Sequence, residues 1–124
     1  MSDKKLVYII DDDAGLLAAY SAAVTKLGYQ VATASDGIKA LALVKAAKPD
    51  LMLLDLLMPN MDGIGMLKEI RKDKNNQDIK VITVSNFEQH QEGAGLGVVK
   101  HITKMNSGPD EVAATVDAVI RQGA

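Results

Sequence analysis

Five short apolar runs, separated by segments with helical hydrophobic spacing, are the strongest constraint on the fold. The first run, residues 6–10, is continuously apolar, as expected for a strand buried on both faces of a sheet. Further strands are predicted at residues 30–34, 51–54, 81–84 and 99–103. Strands that alternate with helices form βαβ units, which build one parallel sheet covered by helices on both sides. The pattern therefore predicts an α/β fold with three layers.

Helices are predicted at residues 14–27, 63–72 and 109–121, and another follows the turn at Ser35-Asp36-Gly37. The segment 86–97 is the weakest helix candidate, because each of its three glycines costs about 1 kcal/mol relative to alanine inside a helix.

Local signals at the helix ends have simple structural interpretations. Asp13, Asp36 and Asp62 each stand just before a predicted helix or within a turn, where a carboxylate caps the first backbone N–H groups. Gly28 directly follows the first helix and can supply a left-handed stop. These residues are therefore expected to be structural.

Composition excludes several classes of function. The chain has 124 residues, the length of one ordinary domain, and contains no cysteine. Disulfide frameworks, zinc fingers, iron–sulfur sites and thiol nucleophiles are therefore excluded. The net charge of −2 argues against a broad electrostatic footprint for nucleic acid. The first apolar run stops at three aspartates, so it is neither a signal peptide nor a membrane span.

Polar residues stand where the predicted strands end. Asp11 and Asp12 end the first strand, Asp55 the third and Ser85 the fourth, and Lys104 lies near the end of the fifth. Ligands of parallel α/β sheets bind outside the carboxyl ends of the strands. Crowded carboxylates repel unless a cation joins them, and hard oxygen donors suit Mg²⁺. Such a site would leave Asp55 able to attack phosphorus, with a hydroxyl and an ammonium for the phosphoryl oxygens.

Three segments carry a resemblance to a known family: residues 9–13 (IIDDD), 49–55 (PDLMLLD) and 58–63 (MPNMDG). In this order, each on its expected element, they resemble the receiver domain of the two-component response regulators. The match covers essentially the whole chain, in the manner of the single-domain chemotaxis regulators. It implies a flavodoxin-like (βα)5 doubly wound parallel sheet with strand order 2-1-3-4-5.

The resemblance also implies roles for individual residues. Asp11 and Asp12 match the acidic pair that holds Mg²⁺, and Asp55 matches the phosphoacceptor, which shares the metal. Leu57 matches the position whose backbone carbonyl completes the metal site. Ser85, 30 residues after Asp55, matches the switch hydroxyl.

Two lysines compete for the position that contacts the phosphoryl group. Lys100 follows two valines, as the family lysine often follows a strand. Lys104 is favoured, because Gly97 then occupies the family's glycine position and His101 its aromatic switch position. The spacing from Lys104 to the last helix also agrees.

The implied function is a phosphoacceptor switch in a two-component phosphorelay. A sensor histidine kinase or a histidine phosphotransfer protein would supply the phosphoryl group to Asp55. The chain would catalyse only its own phosphorylation and dephosphorylation. The output would be protein binding through the face formed by segment 86–97, the fifth strand and the last helix, or homodimerisation. No nucleic-acid or membrane partner is expected, and the expected location is cytoplasmic.

The expected domain organisation is a single receiver domain over residues 1–124 with no output domain, although an excised receiver of a longer protein would look the same. Three other functions remain as alternatives. One is an unphosphorylated docking module of receiver type. Another is a phosphatase of the haloacid dehalogenase type, which needs a second acid where Leu57 stands. The third is a flavin-binding electron carrier, whose first loop would be rich in Ser, Thr and Gly rather than aspartate.

Overall fold

The computed structural model describes residues 4–56, 63–85, 96–104 and 107–122. Its strands and helices alternate along these parts of the chain. The strands are β1 (Leu6–Ile10), β2 (Gln30–Ala34), β3 (Leu51–Asp55), β4 (Lys80–Ser85) and β5 (Val98–Thr103). The helices are α1 (Ala14–Lys26), α2 (Gly37–Ala46), α3 (Gly63–Arg71) and α4 (Pro109–Gln122), with a short 3-10 turn at Lys74–Asn76.

All five strands are parallel and lie in the order β2-β1-β3-β4-β5. This order confirms the predicted doubly wound, flavodoxin-like sheet. The connections run in opposite directions from the central β1–β3 pair, which makes a crevice at the carboxyl ends of these two strands. The crevice positions the candidate site.

Each face of the sheet has its own apolar core. Val7 and Ile9 pack on the face covered by α1 and α4, while Tyr8 and Ile10 pack on the face covered by α2 and α3. Successive side chains of a strand point to opposite faces, so a strand buried on both faces needs an unbroken apolar run. This explains the sequence of β1.

The predicted bounds of β1 and β2 are confirmed, and the other strands are one or two residues longer than predicted. The predicted caps at Asp13 and Asp36 are also confirmed. Their carboxylates accept from the backbone N–H groups of Leu16 at 3.1 Å and Lys39 at 2.8 Å. Gly28 has a φ of 97°, in the left-handed region that glycine allows.

Two structural predictions lie outside the described residues: Asp62 as a cap, and most of the helix at 86–97. The described end of that segment, Leu96 and Gly97, forms a turn before β5. In the part of the chain that the structure describes, no helix is long and apolar enough to cross a membrane.

A side-chain link joins the start of β2 to α4. The Tyr29 hydroxyl donates to Asp117, which also accepts from Arg121 Nε at 3.0 Å. Burial and the Asp117 carboxylate raise the pKa of Tyr29 to about 12. Ionisation of this phenol would place a second negative charge beside Asp117.

We expect the protein to lose stability at alkaline pH partly through this link. A tyrosine whose pKa is raised on folding contributes stability that is fully present below its ordinary pKa and is lost as the pH rises through the raised value. The stability that Tyr29 contributes should therefore be lost between pH 10 and about pH 12. In Asp117→Asn, ¹³C NMR of the ring should show the pKa of Tyr29 moving toward 10. Tyr8 is the internal control, because its hydroxyl donates to the backbone carbonyls of Leu43 and Ala47. An unchanged Tyr29 titration would contradict the prediction.

Candidate functional site

The two central strands place two buried carboxylates in the crevice. Asp11 follows β1, and its backbone N–H donates to Ala34 at 3.1 Å. Asp55 ends β3 and pairs with Val84 of β4. Asp11 is 1% exposed and Asp55 3% exposed. Because backbone hydrogen bonds to neighbouring strands hold both residues, their positions are set by the sheet.

Asp12 completes a cluster of three carboxylates. One oxygen from each of Asp11, Asp12 and Asp55 lies within 4.8 Å of the other two. Asp12 is exposed, so the cluster is open to solvent on one side. Hard carboxylate oxygens with an open, hydrated side are the donor set that a small divalent cation takes, since Mg²⁺ usually keeps several waters. The residues present therefore fit a divalent metal ion.

Lys104 is the cation that the structure places in this cluster. Its Nζ lies 3.2 Å from Asp55 Oδ2 and 3.4 Å from Asp11 Oδ2. Burial by itself would lower the pKa of Lys104, but the Asp11 and Asp55 carboxylates outweigh burial and raise its pKa above the ordinary value. Three carboxylates against one ammonium leave two negative charges, which matches the charge of a divalent cation.

Lys100 lies elsewhere. It pairs with Ile82 in the sheet and lines a groove between β5 and α4, together with Val99 and Ala118. The β4–β5 register shifts between Val81 and Ile82, so the side chains of β5 cannot be assigned by simple alternation. Of the two lysines considered from the sequence, the structure therefore brings Lys104 to Asp55.

Ser85 ends β4 beside Asp55 and is 1% exposed. Its Oγ lies 3.3 Å from Nε2 of His101, and Nδ1 of the same ring lies 2.6 Å from Oγ1 of Thr83. Thr83 is 2% exposed and is paired with His101 across the β4–β5 ladder. The imidazole thus connects two buried hydroxyls on one face of β4.

The sequence reasoning missed Thr83. The signal was its position two residues before Ser85, because residues two apart on a strand share a face. A contact with His101 could not be inferred from that spacing alone, because it depends on which residue of β5 lies opposite.

Gly63 is held against the end of β3. A Cβ atom at this position would lie 2.7 Å from the backbone oxygen of Asp55 and 2.9 Å from Cα of Leu56. The N–H of Gly63 donates to the carbonyl of Leu56 at 3.3 Å. The start of α3 therefore approaches the Asp55 backbone at a distance that only glycine permits.

We expect Gly63→Ala to destabilise the protein by about 1–3 kcal/mol, because the added methyl must displace backbone rather than a flexible side chain. The same displacement should move the Asp55 amide signal in a ¹H–¹⁵N NMR spectrum. Gly108→Ala is the matched control, since a Cβ there has nothing within 4 Å. Equal unfolding free energies for the two variants would contradict the expectation.

The structure does not describe one predicted site residue, and it describes only part of the expected partner face. Leu57 lies outside the described residues, so its predicted metal contact remains a prediction. The expected partner face is described for β5 and α4, which border a groove of about 550 Å³. Val99 on this face is 54% exposed.

Fold and site together define a flavodoxin-like α/β protein with an acidic cluster and a lysine at its switch point. The particular family follows from comparison with known proteins. A family model described as the response regulator receiver domain matches residues 7–117, and the chain belongs to that family. It is thus a receiver domain of the two-component response regulators.

Individual relatives agree with this family. The chain is 35% identical to the Bacillus subtilis alkaline phosphatase synthesis transcriptional regulatory protein PhoP over 119 residues, covering 95% of this chain and 49% of PhoP. It is 35% identical over 122 residues to the probable transcriptional regulator ycf27 of Guillardia theta, covering 98% of this chain and 48% of that protein. The chain spans about half the length of these curated relatives.

A solved structure matches over nearly the whole of both chains. The chemotaxis response regulator CheY4 of Vibrio cholerae superimposes with a TM-score of 0.86 at 26% identity, covering 94% of this chain and 98% of CheY4.

Proposed function

We propose that this receiver domain is a phosphorylation switch. Asp55 accepts a phosphoryl group from the phosphohistidine of a sensor kinase or a histidine phosphotransfer protein. The observation that carries the proposal is the cluster of two buried carboxylates, Asp11 and Asp55, with the exposed Asp12. Lys104 Nζ lies 3.2 Å from Asp55 Oδ2 in this cluster. A carboxylate nucleophile, acidic residues for a cation and an ammonium for phosphoryl oxygens are the parts that such a transfer needs.

The transfer is a nucleophilic displacement at phosphorus. A carboxylate oxygen of Asp55 forms the new O–P bond while the N–P bond to the donor imidazole breaks. The electron pair of that bond returns to the imidazole nitrogen, which then takes a proton from solvent. The product is a mixed anhydride of the aspartyl carboxylate and phosphate.

Asp11, Asp12 and Asp55 would hold Mg²⁺, which when bound supplies positive charge to the phosphoryl oxygens and relieves repulsion among the carboxylates. Lys104 shares this task from the β5 side. It already lies against Asp55, and its ammonium can turn to a phosphoryl oxygen as the charge on the carboxylate falls. Ser85 offers a hydroxyl from the end of β4.

The proposed output is binding to another protein through the face that includes β5 and α4. The groove between them and the exposed Val99 support this choice. We propose a cytoplasmic location, and the expectation of one receiver domain with no output domain stays an expectation. The relatives PhoP and ycf27 are named transcriptional regulators and are about twice as long as the match. In a longer protein, the same face would instead act on an attached output domain.

The test is phosphorylation by a small donor. The protein is incubated with Mg²⁺ and acetyl phosphate, and intact mass spectrometry follows the addition of one phosphoryl group. We expect one group on the native protein and none on Asp55→Ala. Asp110→Ala, which removes an exposed carboxylate from the first turn of α4, should be modified like the native protein.

Other outcomes select other functions. Modification that survives in Asp55→Ala would refute the assignment of Asp55. A native protein that takes no phosphoryl group and binds no Mg²⁺ would favour a docking module. Steady turnover of unrelated phosphate esters would favour a phosphatase.

A further inference from the structure

The imidazole of His101 lies between two buried hydroxyl groups. Thr83 Oγ1 is 2.6 Å from Nδ1, and Ser85 Oγ is 3.3 Å from Nε2. The first distance is that of a strong hydrogen bond and the second is longer. The ring is therefore held firmly from the Thr83 side, and more loosely on the side of Ser85.

Proton accounting selects one arrangement of these bonds. A serine hydroxyl has a single proton, so Ser85 can keep its contact with His101 and also donate to a phosphoryl oxygen on Asp55 only by accepting from His101. Nε2 must then carry a proton. In a neutral imidazole Nδ1 is consequently an acceptor, and the hydroxyl of Thr83 is placed to donate to it.

We propose that Thr83 is a positioning residue that acts on Ser85 through His101. The direction of the bonds is Thr83 O–H to Nδ1, then Nε2–H to Ser85 Oγ, with the Ser85 proton left for the phosphoryl oxygen. Thr83 selects the tautomer of His101, and His101 keeps the Ser85 hydroxyl turned as a donor. The effect on phosphorylation rests on the proposed function, whereas the tautomer is a property of the unmodified protein.

A purely structural role for Thr83 would make a different prediction. Thr83 is 2% exposed, so its hydroxyl needs some partner whatever the function. If burial were the only reason for the contact, either tautomer of His101 would satisfy it. The tautomer of His101 and the phosphorylation rate distinguish the two roles, whereas stability alone does not.

The test compares three threonine variants with the native protein. Thr83→Val removes the hydroxyl and keeps the shape, and Thr83→Ser restores the hydroxyl. Thr33→Val is the matched control, because it makes the same change at an exposed position of the edge strand β2. The first readout is ¹⁵N NMR of the His101 ring without phosphodonor. The second is the rate of Asp55 phosphorylation by acetyl phosphate with Mg²⁺, measured by intact mass.

We expect the neutral ring of His101 to be the Nε2–H tautomer in the native protein, Thr83→Ser and Thr33→Val. Thr83→Val should show a mixture of tautomers and phosphorylate about three- to tenfold more slowly, the effect of losing one neutral hydrogen bond. Thr83→Ser should stay within about twofold of the native rate, because it keeps the donor.

Three results would overturn the proposal. One is a native His101 that carries its proton on Nδ1. Another is a Thr83→Val variant with the native tautomer and rate, while the native protein is phosphorylated normally; this refutes the positioning role alone. A native protein that accepts no phosphoryl group refutes the proposed function, and the role of Thr83 in it fails as well.

Discussion

Lys104→Met is expected to slow phosphorylation of Asp55 by acetyl phosphate about a hundredfold, the usual cost of removing one preorganised charge from a transferring group. Lys104 Nζ lies 3.2 Å from Asp55 Oδ2, and no other lysine or arginine in the described part of the chain forms an ion pair with the cluster. Methionine keeps most of the length of the side chain but carries no charge. The rate is measured by intact mass at saturating Mg²⁺.

Lys100→Met is the matched control for this variant. It makes the same substitution four residues earlier, on a side chain that lines the groove beside α4. We expect the control to phosphorylate at the native rate.

A measurement of Mg²⁺ binding shows whether a slow rate in Lys104→Met comes from the missing lysine or from weaker binding of Mg²⁺. Lys104→Met removes positive charge from beside Asp11 and Asp55, so it should bind Mg²⁺ at least as tightly as the native protein. Chemical-shift changes on titration with Mg²⁺ measure this affinity. Native rates in Lys104→Met together with slow rates in Lys100→Met would reverse the assignment of the two lysines.

Arg71→Met is expected to lower the free energy of unfolding by about 2–3 kcal/mol, because it leaves four backbone carbonyls without their charged donor. The guanidinium of Arg71 donates from Nε to Leu96 at 2.7 Å. It also donates from Nη1 to Asn76 at 2.6 Å and from Nη2 to Ile79 at 2.7 Å. A longer bond runs from Nη2 to Gly97 at 3.5 Å. It thus ties the end of α3 to the segments that lead into β4 and β5.

The shape of the guanidinium explains why lysine should not replace it. A planar fork directs its donors to several acceptors at once, whereas an ammonium on a flexible stem is a single point charge. Arg71→Lys should therefore recover less than half of the lost stability. The midpoint temperature of thermal unfolding should be about 10 °C lower in Arg71→Met than in the native protein, given the size of the domain.

Lys72→Met is the control for Arg71. Lys72 pairs only with Glu69 among the ion pairs of the described residues, at 3.0 Å, with both side chains largely exposed. Exposed pairs of this kind contribute little, so the control should unfold within about 0.5 kcal/mol of the native protein. A loss in Arg71→Met no larger than in Lys72→Met would show that the bonds of the guanidinium add nothing to stability.

Strand β1 was predictable because an unbroken apolar run is typical of a strand that is buried on both faces. The unbroken apolar run of β1 is consistent with the centre of a parallel sheet, and its bounds were predicted correctly. Asp13 and Asp36 were also predictable, since a cap depends only on a few adjacent residues. The strand order required more than periodicity, because periodicity does not say which strands are neighbours. It came from the resemblance to a family, and the structure confirms it.

The candidate site also has features that the sequence predicts and features that it does not. Its carboxylates were predictable from the sequence, because Asp11, Asp12 and Asp55 follow strands whose carboxyl ends must meet at one edge of the sheet. The distances between these carboxylates and the burial of each could not be predicted, because they depend on how neighbouring strands are staggered.

The sequence by itself thus determined the layers of the fold, the helix caps and the edge of the sheet that carries the chemistry, because these depend on periodicity and on adjacent residues. Only the tertiary structure decided that Lys104 reaches Asp55, that Thr83 and Ser85 share the imidazole of His101, and that Gly63 lies against the Asp55 backbone. For the residues on and next to β5, the physical reason is register. A shift of one residue turns a side chain to the other face of a sheet, and the β4–β5 pair contains such a shift.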